Sequence, residues 1–104
     1  MPHAIELPSD YPPAGVEVRL IERFVKLKGR RILEIGCGDG RLTRQYAPLA
    51  STVVAIEPDP ARIREARRAA AAAGLTNVLF RVGTAERLPL GGGQFDIVLF
   101  SWSL

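Results

Sequence analysis

Cysteine occurs once in this chain, at Cys37, so no internal disulfide framework exists and a reducing, cytoplasmic setting is implied. Histidine also occurs once, at His3, far in sequence from every motif that follows. That excludes a histidine-based catalytic triad, and neither a catalytic residue nor a metal cluster is expected. No apolar run approaches the roughly 18 residues needed to span a bilayer. Residues 1–10 lack the basic segment and apolar core of a secretory signal. Lysine is confined to Lys26 and Lys28, and the other cations are arginines. Aromatics make up only 7% and never interleave with the arginines as they do on RNA-binding surfaces. The net charge of +3 therefore reads as an arginine-rich solvated helix face, and nucleic acid is not an expected partner. What remains is 47% hydrophobic and 24% charged over 104 residues, the composition of one small globular domain.

The residues that are present centre on Arg31-Ile32-Leu33-Glu34-Ile35-Gly36-Cys37-Gly38-Asp39-Gly40. A short apolar run breaks into three glycines spaced two apart, which predicts a buried strand, a tight turn and a helix. Such a turn lets backbone approach a ligand closely.

Residues 1–13 hold four prolines and read as an irregular leader; His3 and Tyr11 are within it as candidate ligand contacts, and a mobile chain end is the plainer reading. Val16, Leu20, Phe24 and Leu27 recur at helical spacing and predict an amphipathic helix over 14–27, closed by Gly29. Strands follow at 32–35, 52–56, 77–82 and 95–100. A helix over 41–47 stops at Pro48, and another over 60–73 stops at Gly74. Asp59 followed by Pro60 is a helix-start signature. A loop over 83–94 contains one helical turn near 85–88. Alternating helices and strands predict an α/β, Rossmann-like doubly wound parallel sheet, with strand order 3-2-1-4 counted from Ile32.

In such a sheet, ligands sit beyond the carboxyl ends of the strands. Glu34 to Gly40, Glu57, Thr84 to Glu86, and Ser101 all fall there. An acid about 20 residues past the first strand accepts both hydroxyls of a ribose, so Glu57 points to a nucleoside. The glycine spacing is G-x-G-x-G, not the G-x-G-x-x-G of dinucleotide binders, and no lysine follows the turn. With Glu34 and Asp39 beside it, the mouth is anionic. It suits a ligand carrying a sulfonium and an ammonium better than a pyrophosphate.

Plainer readings stand beside these. The glycines form a tight turn in any case. The plainer, less favoured readings are Glu34 as an ordinary helix-end partner and Glu57 as a cap for the next helix, a role Asp59 fills better. Glu86 reads as an exposed loop acid, Cys37 as a small residue that fits the turn, and Asp96 as a partner for nearby backbone. Trp102 suits a core or interface as well as a substrate pocket.

The segment 32–40, Glu57, the run Gly83-Thr84-Ala85-Glu86-Arg87-Leu88-Pro89-Leu90 and Phe95-Asp96-Ile97-Val98-Leu99 resemble the class I S-adenosylmethionine-dependent methyltransferases. Within them the chain is most similar to the small-molecule type 11, or UbiE-like, branch. The resemblance implies that residues 14–104 form an S-adenosylmethionine-binding domain yielding S-adenosylhomocysteine as product. It implies Glu34 near the ammonium, the Gly36, Cys37 and Gly38 backbone against the ligand, and Glu57 on the ribose. Pro58 and Ile63 would pack near the adenine. Ala85 would meet the adenine edge, with Thr84 where many relatives carry an aspartate and Glu86 as its substitute. Ser101 would lie near the methyl group. Such domains continue after the fourth strand, so the chain reads as incomplete at its C-terminus. Strand 95–100 is then a bare edge awaiting a partner chain or a second copy. The competing readings are a non-catalytic nucleotide-binding or assembly module and, from another enzyme class, a nicotinamide-dependent oxidoreductase.

Overall fold

Arg31–Ile35 is apolar except at its two charged positions, and every residue after Arg31 in it is buried. Burial on both faces is the signature of a central parallel strand. The computed structural model describes residues 3–6, 16–87 and 93–101. Their elements are β1 (His3–Glu6), α1 (Val16–Glu22), β2 (Arg31–Ile35), α2 (Arg41–Tyr46), β3 (Thr52–Glu57), α3 (Pro60–Ala72), β4 (Val78–Val82), a 3₁₀ turn (Ala85–Arg87) and β5 (Ile97–Phe100). All strand pairs are parallel, in the order β1-β5-β2-β3-β4. Counted from β2, the last four of these reproduce the expected 3-2-1-4 order.

Side chains alternate across the strands, so the sheet has two apolar faces. On the first, Ile32, Val53, Ala55, Phe80 and Leu99 meet Ile21 of α1, Leu42 and Tyr46 of α2, and Ile63, Ala66 and Ala70 of α3. On the second, Leu33, Ile35, Ile56 and Val98 pack with Val54, Ala85, Phe95 and Phe100. The α3 helix begins as its sequence dictates. Asp59 accepts from the Ala61 N–H at 2.9 Å and Pro60 occupies the first turn. Asn77 lies just outside β4 and donates to the Ala47 and Ala50 carbonyls at 2.8 and 3.2 Å, tying the end of α2 to the sheet.

Two expectations require correction. The first helix ends at Glu22, not Leu27, and Glu22 Oε2 accepts from the Leu27 N–H at 3.2 Å. Helical spacing therefore fails beyond it. Ile21 and Leu27 are fully buried, whereas Leu20 is partly exposed and Phe24 is 77% exposed. The leader is also not irregular throughout, because His3–Glu6 forms β1 and pairs with β5 from His3↔Ile97 to Glu6↔Phe100. Strand 95–100 is thus not a bare edge, and the chain itself supplies its neighbour. Four residues carry too little pattern to specify a strand. The unpaired backbone groups of β5 decide it. Tyr11 and Trp102 lie outside the described residues. Among the described residues, no helix is long and apolar enough to cross a membrane.

Register brings the strand ends into line. Ile35 sits beside Ile56 on one side and Phe100 on the other. The backbone continues the alignment past the strands, with Gly36 and Cys37 N–H both donating to the Ile56 carbonyl at 2.9 and 3.0 Å. Gly83 N–H donates to Glu57 at 3.1 Å, and Ser101 N–H to Ile35 at 2.9 Å. The four strand-end stretches singled out in the sequence therefore share one edge.

Candidate functional site

The turn after β2 needs its glycines. Gly36, Gly38 and Gly40 have φ of 79°, 57° and 79°, a left-handed conformation that other L-residues adopt only with strain. At Gly40 there is a second reason. A Cβ there would stand 3.2 Å from Ala66 Cβ and 3.3 Å from the Phe80 ring, so the turn lies directly on α3 and β4.

Glu57 ends β3 almost wholly buried, yet its carboxylate touches the turn. Oε1 accepts from the Gly38 N–H at 3.0 Å and Oε2 from the Asp59 N–H at 3.0 Å. It thus joins the glycine turn to the start of α3, while Asp59 is the cap. A carboxylate has about four acceptor sites, and these bonds use two.

Glu34 is fully buried on the helix-covered face. Its Oε1 accepts from Thr43 Oγ1 at 2.6 Å and from the Tyr46 hydroxyl at 2.7 Å, and its Oε2 accepts from Ser101 Oγ. Ser101 Oγ also lies 3.3 Å from the Gly36 carbonyl oxygen. Burial, and then the Glu34 carboxylate, hold the Tyr46 phenol well above its ordinary range. Tyr46 therefore stays a proton-bearing donor. Burying a charge without such partners would be prohibitive.

Cys37 is buried, with its Sγ 3.6 Å from the Gly38 carbonyl oxygen. Burial, followed by the Glu34 and Glu57 charges, drives its thiol far above the ordinary range. A thiol kept protonated is no nucleophile. It is a small buried residue within the turn. Thr84 and Ala85 are half-buried and follow Gly83, whose N–H bonds the Glu57 carbonyl; Glu86 is exposed, and Pro58, next to Glu57, is exposed. Ile63 is 1% exposed and packs within the helix-covered core. Asp96 stands at the far end of the sheet, where its carboxylate accepts from the Arg31 N–H at 2.9 Å and from the Arg31 guanidinium at 3.0 Å. A cavity of about 250 Å³ opens at that far end, lined by Phe24, Val25, Lys26, Arg30, Asp96 and Ile97. It holds neither the glycine turn nor a buried acid.

The model of the "Methyltransferase domain" family matches residues 32–104, which include the glycine turn, Glu57 and Ser101. The chain belongs to this methyltransferase family. A ubiquinone biosynthesis O-methyltransferase from Azorhizobium caulinodans is 45% identical over 73 residues, covering 70% of this chain and 28% of that protein. The chain spans less than a third of the length of such relatives. An RNA methyltransferase from Salinibacter ruber, solved with S-adenosylhomocysteine, is 27% identical at a TM-score of 0.73. That alignment covers 88% of this chain and 60% of the other. A SAM-dependent methyltransferase from Aquifex aeolicus, 20% identical with a TM-score of 0.72, covers 86% of this chain and 51% of its own and shares the fold.

Within this methyltransferase chain, the structure brings Glu34, Gly36, Cys37, Gly38, Glu57 and Ser101 into one bonded cluster, with Thr84 and Ala85 adjoining. Sequence reasoning missed Thr43 and Tyr46. Their signal is a pair of polar residues three apart on the core-facing side of α2, where apolar residues are the norm.

Proposed function

We propose that this chain binds S-adenosylmethionine at the aligned strand ends and forms the cofactor-binding half of a methyltransferase acting on a small molecule. The observation that carries this reading is Glu57, a nearly buried carboxylate bonded to Gly38 N–H with acceptor capacity left for a ribose diol. The donor set also fits. Glu34, Asp39 and Glu57 surround a turn that contains no lysine, which favours a cationic ligand over a pyrophosphate.

In this reading Glu57 holds the ribose and the backbone from Gly36 to Gly38 lies along the amino-acid end. Glu34 takes the ammonium, and Pro58 with Thr84 and Ala85 frames the adenine. Glu86, exposed on the 3₁₀ turn, stands at the rim. Ser101 lines the side from which an acceptor approaches. The cofactor supplies the methyl electrophile, and the protein supplies position and electrostatics. The O-methyltransferase name of its relatives favours a hydroxyl acceptor. The buried, reduced Cys37 favours a cytoplasmic setting.

Titration calorimetry with S-adenosylhomocysteine and with NAD tests this. Binding of the former is the expected result, and binding of NAD alone overturns the reading. Replacing Glu57 by alanine is expected to weaken S-adenosylhomocysteine by about 10- to 100-fold, the loss of charge-assisted hydrogen bonds. Unchanged affinity removes its assigned role.

A further inference from the structure

The Glu34 carboxylate is held asymmetrically. Both donors on Oε1 come from one side, Thr43 Oγ1 at 2.6 Å and the Tyr46 hydroxyl at 2.7 Å, one turn apart on α2. The donor on Oε2 comes from the opposite element, Ser101 just past β5, and Ser101 is only part-buried. Two hydroxyls on a single oxygen fix where a planar carboxylate points. Thr43 and Tyr46 are both 0% exposed and packed in the helix-covered core, so neither moves readily. Each of these three donors is neutral, so none of them cancels the carboxylate's charge. Ser101 is the exchangeable member, because its Oγ also lies 3.3 Å from the Gly36 carbonyl oxygen and can turn to that acceptor.

We infer that Thr43 and Tyr46 are positioning residues: by holding Glu34 Oε1 they aim Oε2 at the strand-end edge, where a ligand's ammonium takes the place of the Ser101 hydroxyl. The inference rests on the cofactor reading above and adds to it a mechanism for orienting the acid. The class of ligand selected is a nucleoside thioether bearing a free α-amino group. The same nucleoside without the amino acid gains nothing from the clamp.

The test uses Tyr46→Phe, which keeps the ring and removes the hydroxyl, and Thr43→Val, nearly isosteric. Thermal melts check that both variants fold. Thr43→Ser restores the donor if a valine variant does not fold. Calorimetry then compares S-adenosylhomocysteine with 5′-methylthioadenosine, which has the nucleoside and thioether but no amino acid. Each clamp variant is expected to weaken S-adenosylhomocysteine by about tenfold, the scale of one charge-assisted hydrogen bond. The affinity for 5′-methylthioadenosine is expected to stay at the wild-type value, and Thr43→Ser is expected to match wild type for both ligands. Equal weakening of both ligands assigns Thr43 and Tyr46 to packing alone and overturns the clamp, as does unchanged binding of both. If wild type binds neither ligand, the cofactor reading falls and the clamp with it.

Discussion

The two ends of the sheet carry the same kind of group, a carboxylate bridging backbone segments, in opposite surroundings. At the carboxyl ends of the strands, Glu34 and Glu57 are buried, and Glu57 is bonded to a turn made of left-handed glycines. At the other end, Asp96 stands partly exposed and clasps Arg31, joining the starts of β5 and β2. Burial makes the difference. A charge kept out of water retains its field and must be placed by specific donors, whereas an exposed one is screened and contributes little. Under the proposed function the first end holds a ligand, whereas the second holds two strands together.

The sharpest way to break this comparison is Gly40→Ala. It combines left-handed strain with close approach to Ala66 and Phe80. A loss of about 2–4 kcal/mol is expected from urea unfolding, the sum of backbone strain and overpacking. Gly29 lies before β2 with a similar φ of +72° and nothing within 4 Å of its would-be Cβ. Gly29→Ala is expected to lose only the strain, about 1 kcal/mol. Equal losses would show that close packing of the turn is unimportant.

Asp96 gives a smaller, pH-dependent effect. The Arg31 guanidinium, its hydrogen bond foremost, lowers the Asp96 carboxyl from 3.8 to about 2. A depressed carboxylate stabilises the fold above its unfolded value, and that contribution is lost as pH falls through the folded one. The urea midpoints of wild type and Asp96→Asn are thus expected to differ at neutral pH and to converge between about pH 4 and pH 2. The affinity for S-adenosylhomocysteine should not change in this variant. A loss would mean that the two ends are coupled. The smallest effect is expected at Phe24, 77% exposed at the mouth of the far cavity. Phe24→Ser should shift stability by no more than about 0.5 kcal/mol.

Much of this arrangement was legible because its causes are local. The glycine spacing announced a tight turn, Asp59 and Pro60 announced the start of α3, and the apolar run 52–56 announced β3. The acids Glu34 and Glu57 could be placed at strand ends by counting. Their partners could not. Ser101 meets Glu34 across 67 positions and Gly38 meets Glu57 across 19, and no periodicity encodes such pairings. Ile63 illustrates the same limit. The resemblance implied a place near the adenine, and only the packing of α3 on the sheet shows Ile63 within the core.

By itself, then, the sequence determined the backbone conformations and caps, because those depend on a residue and its near neighbours. It also determined which edge would be acidic and glycine-rich, since parallel strands place all their carboxyl ends together. Only the tertiary structure decided that His3–Glu6 completes the sheet beside β5, and that Glu34 is turned inward onto Thr43, Tyr46 and Ser101. Both outcomes follow from the need of buried polar groups to find partners. Which partners are within reach is settled by packing distant segments together.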